Sequence, residues 1–475
     1  MLRLHDTRTG QAEEIRPEVP GLLRVYACGP TVYRDAHVGN HRTNLLVDLI
    51  ARVARYHGLR VRLVQNITDV GHLVDDDAVD ARGEDKVLGQ ARVERADPLT
   101  IARKYEQRFH ADLAALGVHP ADAYPRASDS IPLMLGLVDR LVHSGHAYVG
   151  GDGSVYFDAR SFPTYGAISH NRLEDLRPGH RADAEEIGAG KRFHADWALW
   201  KRAEPGRSEL VWDSPWGPGF PGWHLECSAM SLDHLGDRID VHTGGIDLRF
   251  PHHEDERAQS DAVAGHEVVR HWVHGEHLLF EGRKMAKSTG NVVLVSDVEG
   301  RGYDPLAVRL AFLQARYRQQ ANLSWLAIAA ADRTLSRWRS RVAEWAEWPS
   351  KPMCAAYVER VVAAFDDDLD TPAAVVAMRE LERDPDLPRG SKFETFAHLD
   401  RLFGLDLVRT VGAVPAAATP AALPPGAAGL LDARAAARAG KDWATSDRIR
   451  AELAALGVQV TDTPAGQVWT VAPAG

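Results

Sequence analysis

Cysteine is scarce in this chain, with only Cys28, Cys227 and Cys354 present and no Cys-x-x-Cys pair among them. That scarcity excludes the disulfide framework of a small secreted domain and leaves the three residues to serve as thiols or metal ligands. No stretch approaches the ~18 uninterrupted apolar residues of a membrane span. The opening MLRLHDTRTG has no apolar core followed by a cleavage site, so a cytoplasmic protein is expected. Internal repeats are absent. Positive charge is in deficit: a formal net charge of -10 argues against a general polyanion binder, although it leaves room for a local basic surface. What is present is a globular composition, 45% hydrophobic and 26% charged. At 475 residues the chain exceeds what one core usually supports, so two to four domains are expected.

Residues 22 to 28, LLRVYAC, read as a strand that Gly29 and Pro30 interrupt. A helical pattern follows, with Leu45, Leu46, Leu49, Ile50 and Val53 on one face and Gly58 as its stop. A second strand-like run, Val61 to Val64, precedes the turn signals Asn66, Thr68 and Asp69. The first 70 residues therefore read as a βαβ unit, which belongs in a parallel nucleotide-binding sheet. From about 115 to 225 the pattern changes to that of an insertion, with a hairpin-like AYVGGDGSVYFD at 147 to 158. Helical spacing dominates 305 to 345 and 353 to 404. The stretch VGAVPAAATPAALPPGAA at 411 to 428 has the composition of a linker, and a compact tail of helix and strand-like VQVTDTPAGQVWTV follows it.

Two motifs suit phosphate chemistry. CGPTVYRDAHVGN at 28 to 40 puts His37, Gly39 and Asn40 between a strand and a helix start. Backbone N–H groups and the helix dipole favour an anion at such a place, and the missing Cβ of Gly39 lets a base or ribose approach. A plain turn and helix cap would look the same. GRKMAKSTGN at 282 to 291 sets Lys284 and Lys287 in a glycine-bounded loop. Two positioned ammonium groups would stabilise the charge that grows as pyrophosphate leaves an attacked α-phosphate, though a lysine pair in a loop is more often solvated surface.

Together the motifs resemble the signatures of class I aminoacyl-tRNA synthetases, His-Ile-Gly-His and Lys-Met-Ser-Lys-Ser. Here they stand as HVGN and KMAKS, with Asn40 for the last histidine and Ala286 for the first serine. Longer strings narrow the resemblance to the cysteinyl-tRNA synthetases, where Asn at that position is familiar. These are NITDVGH at 66 to 72, WDSPWGPGFPGWHLECSAMS at 212 to 231, GGIDLRFPHHEDERAQS at 244 to 260 and DTPAGQVW at 462 to 469.

By spacing alone Cys28, Cys227, His252 and Glu256 are no metal site, although zinc accepts such ligands and a helix would put His252 and Glu256 on one face. The resemblance matches these four, one by one, to the family's ligands for a single Zn2+ per chain, and it assigns Thr68 and Trp223 to the cysteine pocket. Trp223 could equally be a core aromatic. A metal is physically apt. Shape alone separates cysteine from serine or alanine by roughly 1–3 kcal/mol. About 10⁴-fold fidelity requires about 5.4 kcal/mol. Thiolate binding to zinc would supply the difference.

The resemblance implies a fold of a Rossmann-like parallel-sheet catalytic domain, 1–115 and 226–305, split by an insertion at 116–225. A helical stem-contact domain at 306–410, a linker at 411–428 and a C-terminal anticodon-binding domain at 429–475 would follow. It also implies ATP with Mg2+, L-cysteine and tRNA(Cys) as ligands, His37, Lys284 and Lys287 as catalytic groups, these three with Gly39 and Asn40 as the ATP site, and a monomer. Arg333, Arg337, Arg339 and Arg341, with Arg434, Arg438, Lys441, Arg448 and Arg450, are candidate RNA contacts, though such runs are more often solvated helix faces. Relatives that join cysteine to an amino sugar lack the tail present here in Asp462, Thr463, Pro464, Gly466 and Trp469. A non-catalytic paralogue would not need His37, Lys284 and Lys287, and a specialised duplicate synthetase would look the same in sequence.

Overall fold

The computed structural model describes residues 1–73, 84–176, 190–285, 291–412, 423–463 and 466–471. Ala286 and Lys287 of the lysine loop, residues 413–422 of the expected linker, and Pro464 lie outside these residues. The chain divides into two units, Met1–Val408 and Arg409–Gly475.

In the first unit a four-stranded parallel sheet has the order Val269–Gly275, Ile239–Gly245, Leu22–Ala27, Arg60–Gln65. The expected βαβ unit is its nucleus. The helix Val38–Tyr56 connects Leu22–Ala27 to Arg60–Gln65, and Gly58 turns the chain back with φ +83°. The sheet is largely buried, yet its strands mix apolar and polar residues, as in Ile239–Gly245 (IDVHTGG) and Val269–Gly275 (VRHWVHG), where Asp240, His242, His271 and His274 are buried. An antiparallel hairpin, Arg3–Asp6 with Gln11–Glu14, precedes the unit and was not anticipated from the sequence. Its alternation is short and mostly polar, which is a weak strand signal.

Between the second and third sheet strands in sequence lies a helix, Ile131–His143, and a four-stranded antiparallel sheet that includes the hairpin expected at 147 to 158. Apolar packing is continuous from Tyr26 and Val64 of the parallel sheet to Phe157, Trp197 and Trp200 of the antiparallel one. Helices Pro305–Phe312, Trp325–Ala346, Ala355–Asp366, Thr371–Arg383 and Arg389–Phe403 follow. No helix among the described residues is long and apolar enough to cross a membrane.

The second unit is a helix pair, Ala427–Ala439 and Trp443–Ala455, and an antiparallel hairpin, Val458–Thr463 with Gly466–Val471. Leu431, Ile449, Leu453, Val458 and Val460 form its small core, with Trp469 packed against it. The last two residues of the expected linker, Ala427 and Ala428, already belong to the first helix.

Candidate active site and metal centre

The site lies at the carboxyl ends of the parallel strands, where an open α/β sheet exposes loops and helix N-termini. Cys28 follows Leu22–Ala27 directly and its N–H donates to Thr243 O at 3.1 Å. Gly29 lets the next strand end come close: a Cβ there would sit 1.7 Å from Asn66 O, while Gly29 N donates to Asn66 Oδ1 at 2.7 Å. That approach places Thr68 beside the same crevice. Helix Trp223–Leu235 brings Cys227 one turn after Trp223, and helix His252–Ala264 brings His252 and Glu256 on one face.

All four expected ligands are buried and converge, with ligating atoms within 4.8 Å of one another. Cys28 Sγ is 3.8 Å from Cys227 Sγ and 3.4 Å from Glu256 Oε1, and His252 Nε2 is 3.0 Å from Glu256 Oε1. Two sulfurs held at ~2.3 Å in a tetrahedron would lie about 3.8 Å apart, so the spacing suits zinc. Charge points the same way. Burial pushes the Cys28 thiol up. Burial also opposes a charge on His252, but Glu256 and Cys227 outweigh it and raise this imidazole to about 10. A cluster that would protonate its own histidine so firmly is one that favours a cation at its centre. Glu256 Oε2 is buried and has no hydrogen-bond partner among the described residues.

The sequence reading missed a ring of further histidines. His242 Nε2 and His253 Nε2 lie 3.4 and 3.2 Å from Cys28 Sγ and, with Cys28 and Glu256, make an overlapping four-ligand set. Each histidine of the 252–253 pair is held from behind. His224 Nδ1 is 2.7 Å from His252 Nδ1, and His253 Nδ1 is 2.8 Å from His274 Nε2, while His274 Nδ1 reaches Thr7 Oγ1 at 2.7 Å. Such outer contacts orient the rings of metal-binding histidines. The doublet at 252–253, and His224 one turn before Cys227, were the visible signals. His242 sits inside a buried strand and gave none.

Trp223 stacks on His72 with centroids 3.8 Å apart and lies 4.2 Å from the His252 ring. Thr68 Oγ1 donates to Glu226 Oε2 at 2.9 Å, while Glu226 Oε1 is buried without a hydrogen-bond partner among the described residues. Burial raises the Glu226 carboxyl well above its usual range. A cleft of about 1340 Å³ opens beside this group, lined by Trp223, His224, Asp255, Lys201 and Arg207.

His37 is the N-cap of helix Val38–Tyr56. Its Nδ1 accepts from Asn40 N at 3.2 Å and Asn40 Oδ1 accepts from His37 N at 3.1 Å, a reciprocal capping box. Burial, then the neighbouring Arg34 and His41, lowers this imidazole to about 4. The ring is thus neutral near pH 7, and since Nδ1 accepts, its proton is on Nε2. Gly39 receives Met285: a Cβ would stand 2.5 Å from Met285 Cε and 3.0 Å from His37 Nδ1. Val38 N also donates to Val293 O at 2.9 Å. The two sequence motifs are therefore packed together. Lys284 is exposed on the short strand Arg283–Lys284, and Lys287 lies outside the described residues.

Two of the candidate RNA contacts are internal. Arg339 is buried and donates to Asp304 Oδ2 at 2.6 Å and to the carbonyls of Leu405 and Asp406. Arg434, 1% exposed, donates to Gln467 Oε1 at 2.8 Å. The helical spacing that suggested a basic face also serves these inward bonds. Arg337, Arg341 and Arg448 pair on the surface with Glu382, Glu344 and Glu452, while Arg333, Lys441 and Arg450 are exposed.

Residues 14–333 match the family model of tRNA synthetases class I (C) catalytic domain, and 421–469 match the Cysteinyl-tRNA ligase anticodon binding domain. A cysteine–tRNA ligase of Thermus thermophilus is 42% identical over 98% of this chain and 99% of its own. That of Chlorobaculum tepidum is 40% identical over 99% of each. Among solved structures, Mycobacterium tuberculosis methionyl-tRNA synthetase with methionyl-adenylate superposes with a TM-score of 0.56 at 17% identity, covering 87% of this chain and 94% of that one. LeuRS of Agrobacterium radiobacter K84, in a ternary complex with tRNA and LeuAMS, gives 0.59 at 12% identity over 83% and 86%, a likeness of fold alone. With both family models matched and full-length relatives at this identity, the chain belongs to the cysteine–tRNA ligases, a family of class I aminoacyl-tRNA synthetases.

Proposed function

We propose that the chain activates L-cysteine with ATP and Mg2+, transfers it to the 3′ end of tRNA(Cys), and selects it through a zinc ion held by Cys28, Cys227, His252 and Glu256. The convergence of those four side chains on one buried point, at the mouth of a nucleotide-binding sheet, carries the reading. Zinc bound there would supply an affinity for thiolate sulfur that the serine hydroxyl and alanine methyl cannot match.

The remaining work falls to this chain's own groups. Trp223, fixed by its stack on His72, and Thr68, bonded to Glu226, line the cysteine pocket. The cysteine carboxylate attacks the ATP α-phosphorus, and the bond to the bridging oxygen of pyrophosphate breaks. His37 donates from Nε2–H to a phosphate oxygen. Gly39 and Asn40 complete the ATP site, Asn40 fixing the His37 ring, and Lys284 and Lys287 balance the charge on the departing pyrophosphate. The terminal ribose hydroxyl then attacks the acyl carbonyl and AMP leaves. No protein nucleophile is needed; positioning and electrostatics suffice. Residues 1–115 and 226–305 act as the catalytic halves, 116–225 as their insertion, 306–410 as the stem contact, 411–426 as linker and 427–475 as anticodon reader, in a monomeric enzyme.

The test is cysteine-dependent ATP–pyrophosphate exchange on zinc-replete protein, run beside charging of unfractionated tRNA. Exchange and charging are both expected, with serine inactive. Zinc removal by a chelator should abolish discrimination or exchange. Exchange without charging would indicate another acceptor, and no exchange in folded, zinc-loaded protein would refute the activity.

A further inference from the structure

A second group of metal-type ligands lies away from the catalytic crevice, on the edge strand Val269–Gly275 and the N-terminal hairpin. In the hairpin Asp6 pairs with Gln11 and Leu4 with Glu13. Side chains alternate along strands, so Asp6 and Glu13 share one face of the hairpin. His271 of the edge strand meets them: its Nδ1 is 3.6 Å from Glu13 Oε2, and one ligating atom from each of Asp6, Glu13 and His271 lies within 4.8 Å of the others.

The polar atoms there are poorly satisfied. His271 is 2% exposed, and neither ring nitrogen has a hydrogen-bond partner among the described residues. Asp6 is fully buried; its Oδ1 accepts from the N–H groups of Arg8 and Trp272, but its Oδ2 has no hydrogen-bond partner among the described residues. Buried polar groups in this state are costly, and each such instance calls for an explanation. Arg8 answers it only in part, through an ion pair with Asp6. Its guanidinium engages Glu267 at 2.7 Å and Arg270 O at 3.2 Å, and stands 3.7 Å from Asp6 Oδ2. Glu13, bonded through Oε1 to Thr9 Oγ1, turns its other oxygen to His271 and is about one-third exposed, which leaves an entry path.

We propose that Asp6, Glu13 and His271 bind a second divalent transition-metal ion of the zinc class, with water completing its coordination. Two carboxylates and a neutral imidazole balance the charge of such an ion and suit its ligand preferences. Burial keeps His271 neutral, its pKa lowered to about 4, which is the ligating form. The ion would tie the hairpin to the open edge of the sheet, a structural role separate from catalysis.

The test counts zinc per chain by atomic emission in the full-length protein after dialysis against micromolar free zinc. Wild type should hold one ion more than either Glu13→Gln or Asp6→Asn. Glu13 is partly exposed on a surface hairpin, so its substitution tests the site even if a change at Asp6 or His271 impairs folding. Equal counts in wild type and Glu13→Gln would overturn the proposal. The absolute count reports separately on the catalytic site: two against one is expected, whereas one against zero would leave the hairpin site standing and remove the catalytic zinc.

Discussion

Thr68 illustrates how one hydroxyl can set a pocket. It is 1% exposed and its hydroxyl donates to Glu226 Oε2, part of a carboxyl group raised by burial whose other oxygen is buried without a hydrogen-bond partner among the described residues. Thr68→Val keeps the volume and removes the donor. Leaving a buried acceptor unpaired costs about 1–3 kcal/mol. The expected outcome is a lower melting temperature together with a raised KM for cysteine and a nearly unchanged KM for ATP. An equal rise in both would mean that Thr68 acts on the whole site rather than on the amino-acid pocket. At this scale the sequence was informative where chemistry is carried by rare residue types, as with Cys28 and Cys227. It was silent on His242 and on the inward turn of Arg339 and Arg434, because burial direction is not written in residue identity.

Helix Val38–Tyr56 joins the catalytic sheet to the helices that follow it. Its buried Asp48 accepts from Arg52 Nε at 2.6 Å, from Arg309 Nη2 at 2.5 Å and from His119 N at 3.0 Å. The two arginines also reach the carbonyls of Arg401 and Phe403 at 3.2 and 2.6 Å, so one carboxylate anchors the contact of three helices. Burial would raise the Asp48 carboxyl, but Arg309 and Arg52 outweigh it and hold it below the usual range. A depressed carboxylate contributes stability that is present above its unfolded pKa, ~3.9, and is lost as pH falls below that value. Asp48→Asn leaves two buried guanidinium groups without their counter-charge and should cost about 3–5 kcal/mol. Thermal melts at pH 7 should show that loss, and the gap between variant and wild type should narrow in acid below the carboxylate range. A gap that stays constant with pH would exclude the ionic origin. The helix itself was legible from its apolar period and Gly58. The Asp48 cluster was not, since its partners are distant in sequence and none has a distinctive spacing.

For the whole molecule, the division into Met1–Val408 and Arg409–Gly475 separates the expected chemistry from the expected anticodon reading. Every residue assigned to adenylate formation lies in the first unit, and the second has its own small core. A chain ending at Val408 should therefore retain cysteine-dependent pyrophosphate exchange within a few-fold. It should lose charging efficiency by at least about 10²-fold, equivalent to ~2.7 kcal/mol. Loss of exchange in a folded truncated chain would show that the second unit supports the catalytic one. By itself the sequence determined most of the local elements and the boundary composition near 411, and it singled out candidate site residues, because apolar period, turn residues and motif strings act over short range. Only the tertiary structure decided which of those residues meet. The pairing of Leu22–Ala27 with Ile239–Gly245 and the close approach at Gly29 bring Cys28 to Cys227, His252 and Glu256, and Gly39 to Met285. Sheet order and backbone contact are long-range properties, set by packing across the fold rather than by spacing along the chain.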